Sequence, residues 1–154
     1  RGPTFVTKKI IQALVRIKNK KQKLLTLGNL YAVRDWGHAK DYVESMWKIL
    51  QYKKPDDWVI ATNDEMTVKE FINLCCKKIG LDIFWRYKGL NEVAINAKTK
   101  QVIIKIDKKY FRPGEVDFLK GDYSKAKKLL KWKPKFTAKK LIDDMIDFEN
   151  KLHD

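Results

Sequence analysis

The stretch DWVIATNDEMTVKEFINLCCKKIG, residues 57–80, decides the fold class of this 154-residue chain. It begins with DWVIAT (57–62), a continuous apolar run with the length and β-branched content of a buried strand, and parallel sheets use such strands. Thr67 and Glu70 then match a capping box, which predicts the start of a helix, and Gly80 ends that helix. A buried strand followed by a capped helix indicates an α/β protein.

On the N-terminal side of this stretch, the pattern predicts two more helices and a short strand. Gly2 and Pro3 favour the start of a helix, and apolar residues recur behind them at helical spacing. KLLTLGN (23–29) is typical of a short strand that runs into a turn. Beyond it, one face of a second helix is apolar. That face is marked by Val43, Met46, Trp47 and Leu50.

On the C-terminal side, extended segments come first and helices follow. The extended segments are IFWRYKG (83–89), EVAIN (92–96) and QVIIKID (101–107), and the last two are predicted as a hairpin around Lys98 and Thr99. A short helix is predicted over 124–131, and Thr137 caps a final helix. The buried face of that helix is predicted to hold Leu141, Ile142, Met145 and Leu152. Because helix and strand alternate without an internal repeat, residues 1–154 are expected to form one α/β unit.

The chain is strongly basic, with a formal net charge of +15 and a hydrophobic content of 44%. The hydrophobic content is sufficient for one domain with a core. The charge raises two functions, which are binding to nucleic acid and binding to an anionic membrane surface. The lysines are spread over almost every segment, however. This distribution is better explained by a general preference for lysine in the source proteome than by a nucleic-acid-binding surface. A basic nucleic-acid-binding module stays open as an alternative, and it requires one lysine-rich face with exposed aromatic residues.

Cys75 and Cys76 are the two cysteines, and they are adjacent within a helical pattern. Neighbours on a helix point about 100° apart, so neither a disulfide nor a metal site follows from them. We expect both to pack in the core of a protein from a reducing compartment. No apolar run approaches the roughly 18–20 residues of a membrane span, and RGPTFVTKK (1–9) lacks the apolar stretch of a signal peptide. A cytoplasmic location is expected.

The segment YFRPGE (110–115) gives the first indication of a binding site. Arginine is rare here, since only five of the 34 basic residues are arginines. The rigid fork of Arg112 can grip a phosphate with two parallel hydrogen bonds. Pro113 stiffens the backbone, Gly114 permits a tight turn, and Glu115 can accept a hydrogen bond from a sugar hydroxyl. The pattern indicates a sugar-phosphate loop, and the alternative is a surface turn with a solvated arginine.

Arg34 is a second rare arginine, and it also precedes a turn-prone stretch. It follows the end of a predicted strand, which is where open α/β sheets bind ligands. Together with Lys9, near the start of the first helix, Arg34 and Arg112 would form a cationic site for a diphosphate. Taken alone, Lys9 would be interpreted as a solvated helix lysine.

Several sequence blocks, in order and at plausible spacing, resemble the C-terminal half of the GDP-mannose 4,6-dehydratases of the extended short-chain dehydrogenase/reductase superfamily. The blocks are RGPTFVTKKI (1–10), GNLYAVRDWGHAKDYVESMWKIL (28–50), PDDWVIAT (55–62), TVKEF (67–71), YFRPGEVDFLKGD (110–122) and KAKKLLKWKPK (125–135). The fold that this resemblance implies is the C-terminal part of an extended Rossmann-type, NAD(P)-binding fold. It would contain the small nucleotide-sugar-binding domain and lack the N-terminal dinucleotide-binding strands.

The resemblance also implies a substrate role for five residues. Arg112 would hold the diphosphate of the GDP-sugar, and Arg34 would be the second phosphate ligand. Glu115 would bind a ribose hydroxyl. Val6 and Lys9, in FVTKKI, match nucleotide-sugar contacts at the head of the first helix. The implied substrate is GDP-mannose.

The cofactor that the resemblance implies is NADP. Arg1 matches an arginine that reaches its 2′-phosphate side, and the missing N-terminal half would bind most of it. The family removes water by oxidising C4 of the mannosyl ring, eliminating across C5–C6 and returning the hydride to C6, towards GDP-fucose. This reaction needs a glycine-rich turn that binds the dinucleotide and a Tyr-x-x-x-Lys pair that moves the C4 proton. Tyr123 and Lys127 have this spacing only by coincidence, in a block that matches another part of the family, so we expect no catalytic residue and no activity in this chain alone.

The implied partner is a matching N-terminal half or a full-length protomer, and the complete enzyme would be a homo-oligomer, a dimer or tetramer. Because paired arginines grip any diphosphate, a dehydratase or epimerase that acts on a UDP- or dTDP-sugar stays open as an alternative. Four positions depart from the usual family pattern, and they bear on the recognition of the base and the ribose. They are Tyr31, Val33, Asn63 and Gly114. A non-catalytic partner subunit is a further alternative.

Overall fold

The computed structural model of the chain describes residues 2, 5–111, 114 and 116–152. The elements over these residues confirm the α/β class. In chain order they are α1 (Val6–Lys18), β1 (Leu25–Leu27), β2 (Val33–Asp35), α2 (Ala39–Leu50), β3 (Glu65–Thr67), α3 (Val68–Ile79), β4 (Ile83–Arg86), β5 (Val93–Asn96), β6 (Val102–Ile106), α4 (Ser124–Leu129) and α5 (Ala138–Lys151).

The strands form two sheets. The larger sheet has the order β1-β6-β5-β4, in which β1 runs parallel to β6 and the other neighbours are antiparallel. The predicted hairpin around Lys98 and Thr99 is confirmed, because β5 and β6 pair across that turn. The smaller sheet joins β2 and β3, and in it Arg34 lies opposite Met66. The sequence did not predict this second sheet, because strands of three residues are too short to show a period.

Helices α1, α3 and α5 pack against one another and share one core with the larger sheet. Trp36 stacks on Phe71 in this core, with 3.9 Å between the ring centres. Cys75 and Cys76 are free thiols buried within it, which confirms the prediction that they serve packing. Burial raises the pKa of the Cys76 thiol to about 12. No helix among the described residues is both long and apolar enough to cross a membrane.

The capping box that opens α3 is confirmed. Thr67 Oγ1 accepts a hydrogen bond from the backbone N–H of Glu70 at 3.1 Å, and the Glu70 carboxylate accepts from the backbone N–H of Thr67 at 2.7 Å. Gly80 ends the helix with φ of +69°, in the left-handed region that glycine favours. This exchange satisfies two amides that the first turn of a helix otherwise leaves without acceptors.

Two predictions about helix ends are wrong. Helix α1 begins at Val6, with Phe5 as its N-cap, and does not begin at Gly2; Pro3 lies outside the described residues. In α5, Leu152 is exposed although Leu141 and Ile142 are buried as predicted. The helix ends at residue 151, so the periodic pattern no longer places residue 152 on the packed face.

The predicted strand over 57–62 is not a strand in this structure. Residues 57–62 have no regular secondary structure, and no described segment pairs with them in a ladder. Ala61 and Thr62 at its end are buried, whereas Val59 is exposed. The sequence pattern shows that a segment suits a sheet, but a strand also requires a neighbour that supplies hydrogen bonds.

The apolar face of α2 is exposed. Its sequence pattern is typical of a face that packs against the core, so the observed orientation differs from the expected one. Val43, Met46, Trp47 and Leu50 are exposed, while Asp41 and Ser45 on the other side are buried. The carboxylate of Asp41 explains this orientation, because it accepts hydrogen bonds from the backbone amides of Lys135 and Phe136. A buried carboxylate with these donors fixes which side of the helix points inward.

Candidate functional site

The segment that leads into the YFRPGE loop crosses the carboxyl end of β1. The backbone N–H of Asp107 donates to the Leu27 carbonyl at 2.9 Å, which continues the pairing of β1 with β6. Gly28 follows, and a Cβ atom there would lie 2.5 Å from the carbonyl oxygen of Tyr110. Glycine is therefore required at residue 28 for the two backbones to approach this closely.

Lys9 contacts the start of the loop. It lies in the first turns of α1, and its Nζ donates to the Thr26 carbonyl of β1 at 2.7 Å. The same ammonium group lies 3.9 Å from the centre of the Tyr110 ring, which is a cation–π distance. Lys9 thus joins α1, β1 and the residue just before Phe111.

A cavity of about 340 Å³ opens beside Lys9, between α1 and the start of β1. Its polar walls come from Gln12 and Arg16 of α1, from Gln22, and from Tyr110. Two cationic side chains and two amides give this cavity the chemistry of an anion-binding pocket with hydrogen-bond donors around it. No sequence pattern singled out Gln12, Gln22 or Tyr110 as lining residues, because only the packing of α1 on β1 brings them together.

Arg34 contacts the other end of the loop. Its Nη1 donates to the Val116 carbonyl at 2.9 Å and to the carbonyl of its neighbour Val33 at 2.8 Å. The loop end also lies along β2, because Val33 bridges in parallel to Phe118 and accepts the Leu119 amide. The guanidinium group therefore fixes where the chain leaves residues 112–115.

Lys9 and Arg34 are 25 positions apart in sequence but contact the two ends of one loop, through Tyr110 and Val116. Arg112 and Glu115 lie outside the described residues, as does Arg1, so their predicted roles stay predictions. Val6 is the first residue of α1, about one turn before Lys9, and its side chain is exposed.

A further junction lies next to β2 and involves a position that departs from the family pattern. Asp35 accepts hydrogen bonds from the backbone amides of Thr62 and Asn63, at 2.7 and 3.0 Å. Asn63 has φ of +58°, in the left-handed region where asparagine is the most tolerant residue after glycine. Asparagine can therefore replace the usual glycine here, and the Asp35 contact holds the turn.

Tyr31, another departure, is half exposed, but its hydroxyl reaches the buried carboxylate of Glu92. Its hydroxyl donates to Glu92 Oε2 at 2.7 Å, and Lys69 Nζ donates to Glu92 Oε1 at 2.6 Å. Burial alone lowers the pKa of Lys69, but the hydrogen bond and charge of Glu92 outweigh it and raise the pKa above its usual value. Tyr31 therefore shares the buried carboxylate with Lys69 and connects the turn after β1 to β5.

The family model that matches residues 1–145 of this chain is that of GDP-mannose 4,6 dehydratase. The chain belongs to the GDP-mannose 4,6-dehydratase family. Among its relatives in this dehydratase family, GDP-mannose 4,6 dehydratase 1 of Arabidopsis thaliana is 52% identical over 147 residues. GDP-mannose 4,6 dehydratase 2 of Caenorhabditis elegans is 47% identical over 146 residues. The alignments cover 96% and 95% of this chain but 36% and 38% of those proteins, so the chain spans less than half their length.

The fold of this family member is shared with solved structures of low sequence identity. RMD from Pseudomonas aeruginosa, solved in complex with NADPH, matches 99% of this chain with a TM-score of 0.77. The match is 16% identical in sequence and covers 44% of that protein. It confirms the predicted fold class, in which the chain forms part of an extended Rossmann-type fold.

Proposed function

We propose that residues 1–154 act as one unit, the nucleotide-sugar-binding portion of a GDP-mannose 4,6-dehydratase. The observation that carries this proposal is the contact of Lys9 and Arg34 with the two ends of the loop that holds Arg112 and Glu115. The names of the relatives supply the substrate, GDP-mannose, and the reaction class, a lyase that removes water.

In this proposal, the loop contacts the phosphates, and the contacts of Lys9 and Arg34 hold its two ends in place. Arg112 grips the diphosphate with its planar fork, and Glu115 accepts from a ribose hydroxyl. Arg34 adds positive charge to the diphosphate while its contact with the Val116 carbonyl keeps the loop in place. Lys9 and Val6 contact the nucleotide from the head of α1. A loop held at both ends loses less conformational freedom on binding, which favours affinity.

The chain alone is proposed to be inactive. Tyr123 packs edge-on against the Trp132 ring, with 5.7 Å between centres, and Lys127 is exposed on α4. This arrangement supports the interpretation that their spacing is a coincidence, because one member serves packing and the other faces solvent. A catalytic tyrosine and lysine would have to come from the remainder of a full-length dehydratase.

The proposed cofactor is NADP, since a solved structure with the same fold contains NADPH. Arg1 would reach its 2′-phosphate side, and the remainder of a full-length dehydratase would bind the rest of it. For the assembled enzyme we propose a cytoplasmic homo-oligomer. The two buried free thiols fit a reducing compartment.

The test is a calorimetric titration of three ligands into a full-length protein in which this chain replaces the aligned part of the Arabidopsis relative. GDP-mannose is expected to bind, and UDP-glucose and a short single-stranded DNA are expected to bind at least tenfold more weakly. Equal affinity for GDP-mannose and UDP-glucose would favour a different nucleotide-sugar enzyme. Binding of the DNA alone would favour the nucleic-acid module.

A further inference from the structure

Asn29, in the segment between β1 and β2, contacts the chain just beyond the candidate phosphate loop. Its Nδ2 donates to Asp117 Oδ1 at 2.9 Å, a contact that spans 88 positions of sequence. The main chain is fixed at the same point, because the Val33 N–H donates to the Asp117 carbonyl at 2.7 Å. Asp117 follows Glu115 by two positions, so both of these contacts determine where the chain leaves the loop.

The side-chain amide of Asn29 is held in one orientation by its own segment. Its Oδ1 accepts from the Tyr31 N–H at 2.9 Å, which is the hydrogen bond of an Asx turn. Because an amide group accepts through its oxygen and donates through its nitrogen, this bond directs the Nδ2 donor towards Asp117. An aspartate in place of Asn29 could make the turn but could not donate to Asp117.

The segment that carries Asn29 is itself fixed to the body of the fold. The Leu30 carbonyl accepts from the Lys69 N–H at 2.9 Å, and this amide is one of those that the first turn of α3 leaves without a helical partner. The Tyr31 hydroxyl donates to Glu92, which is 2% exposed. The contact with Asp117 therefore connects the loop to a segment with anchors on α3 and immediately before β5.

Arg34 has two tasks at this end of the loop in the proposed function. Its Nη1 donates to the Val116 carbonyl, and the same guanidinium group is assigned a diphosphate to contact. A shift of the guanidinium group towards a phosphate weakens its hydrogen bond with the Val116 carbonyl. Asn29 is uncharged and contacts the next residue along, so its bond with Asp117 holds the end of the loop while Arg34 binds.

We propose that Asn29 is a positioning residue of the nucleotide-sugar site, which acts through Asp117 to fix the end of the loop that holds Arg112 and Glu115. This inference rests on the proposed function. Asn29 needs no contact with the ligand for this role. A loop whose end is already fixed loses less conformational freedom when it binds a diphosphate, so the Asn29 contact raises the affinity for the nucleotide sugar.

The pair can be tested by exchanging its donor and its acceptor. Asn29→Asp removes the donor and sets two carboxylates within hydrogen-bond distance, where like charges repel. Asp117→Asn retains the acceptor. The double variant, Asn29→Asp with Asp117→Asn, restores one hydrogen bond in the opposite direction, and its net charge equals that of the unaltered pair. Asn29→Ala removes the bond without adding a charge, which separates the lost contact from repulsion of the anionic ligand.

The first measurement is calorimetric titration of GDP-mannose into the chimera in which this chain replaces the aligned part of the Arabidopsis relative. The dissociation constant is expected to rise about fivefold for Asn29→Ala, the effect of one neutral hydrogen bond, and further for Asn29→Asp. Asp117→Asn and the double variant are expected to bind like the unaltered chimera. Asn73→Asp is the matched control and is expected to leave the affinity unchanged, because Asn73 Oδ1 accepts from Trp85 Nε1 at 2.9 Å and a carboxylate accepts equally.

An unchanged dissociation constant for Asn29→Ala would overturn the proposal, as would a double variant that binds as weakly as Asn29→Asp. A purely structural role for Asn29 would reduce the fraction of competent protein, so the number of binding sites per chain would fall while the dissociation constant stayed the same. That result would also overturn the proposal. Equal losses of affinity for Asn73→Asp and Asn29→Asp would assign the effect to added negative charge and likewise contradict the role of Asn29.

The second measurement is hydrogen exchange of single amides in the chimera without nucleotide, and in the chain itself if the chimera does not fold. The Val33 amide, which donates to the Asp117 carbonyl, is expected to exchange about fivefold faster in Asn29→Ala. The Asp107 amide, which donates to the Leu27 carbonyl at the other end of the loop, is the control and is expected not to change. Equal acceleration of both amides, or of neither, would overturn the proposal. Because this measurement contains no nucleotide, absence of GDP-mannose binding by the unaltered chimera would contradict the proposed function and leave the result for Asn29 intact.

Discussion

The ammonium group of Lys9 lies 3.9 Å from the centre of the Tyr110 ring while its Nζ donates to the Thr26 carbonyl at 2.7 Å. One side chain of α1 thus fixes both the end of the larger sheet and the residue that leads into the candidate phosphate loop. The position of the loop therefore depends on a contact that also stabilises the fold. The stability of the fold can be measured without any ligand.

Replacing Tyr110 with leucine is expected to lower the free energy of unfolding by about 0.5–1 kcal/mol, because the cation–π contact with Lys9 is lost at a partly exposed site, together with the longer contact of Lys109 at 5.0 Å. Tyr110→Phe retains the ring face and is expected to stay close to the unaltered chain. Urea unfolding measures both. Phe148→Leu is the control, at an exposed ring on α5, and an equal loss there would show that the cation–π contact at Tyr110 contributes nothing particular.

In the assembled protein, Arg112→Ala is expected to weaken GDP-mannose binding about ten- to a hundredfold, since a charge-assisted contact contributes roughly 1.5–3 kcal/mol. Arg112→Lys should recover only part of this affinity, because an ammonium lacks the planar fork. Calorimetric titration provides the affinities. Lys98→Ala is the control for a remote charge, which salt screens beyond about 8 Å. Equal losses for Arg112→Ala and Lys98→Ala would make YFRPGE an ordinary surface turn.

Gly28→Ala is expected to destabilise the chain by about 1–3 kcal/mol, because overpacking against a fixed neighbour forces the backbone to shift. The added Cβ would lie 2.5 Å from the carbonyl oxygen of Tyr110. Thermal unfolding measures the change, and Gly2→Ala is the matched control because nothing lies within 4 Å of its Cβ position. If both variants unfold at the same temperature, the close approach of β1 to Tyr110 does not exist in solution.

Glu92→Gln is expected to lower the free energy of unfolding at neutral pH by about 1–3 kcal/mol, because Lys69 loses the carboxylate partner of a largely buried contact. The pKa of Lys69 is raised in the folded chain above its usual 10.5, so the folded form holds the proton more tightly. This contribution is complete below pH 10.5 and is lost as the pH rises through the folded-state value. Urea unfolding between pH 8 and pH 11 should therefore show a steeper alkaline loss for the unaltered chain than for Glu92→Gln.

The control for Glu92 is Asp56→Asn. Asp56 and Lys125 form a contact of 2.7 Å, nearly as short as that of Glu92 and Lys69, but on an exposed surface. Solvent and salt screen such a pair, so its removal should cost clearly less than the removal of the Glu92 carboxylate. Equal costs for Asp56→Asn and Glu92→Gln would show that burial of Glu92 does not strengthen its contact with Lys69.

Local signals predicted much of the fold. The capping residues of α3, the turn at Lys98 and Thr99 and the burial of Cys75 depend on neighbours in sequence, and all three are confirmed. The orientation of α2 could not be predicted in this way. The helical period of its apolar residues shows that α2 has an apolar side. Which side of the helix points inward depends on groups distant in sequence, such as the Lys135 amide that Asp41 accepts from 94 residues away.

The candidate site divides in the same manner. The rarity of arginine singled out Arg34, and the structure brings it to the Val116 end of the loop. The contribution of Tyr110 depends on α1 packing against β1, and the contact of Tyr31 with Glu92 joins residues 61 positions apart. A sequence contains no local mark of such pairs, because either residue alone is an ordinary surface type.

Among the residues that the structure describes, none pairs with the backbone of residues 58–61, and this has a consequence for how the chain is produced in a cell. An open strand edge beside apolar side chains templates pairing between identical copies, which leads to aggregates during synthesis. The yield of protein that stays in solution should therefore depend on how long this edge remains uncovered after translation. Slow expression at low temperature should shift the product from inclusion bodies to the supernatant, and the amount of host chaperone bound to the chain should fall accordingly.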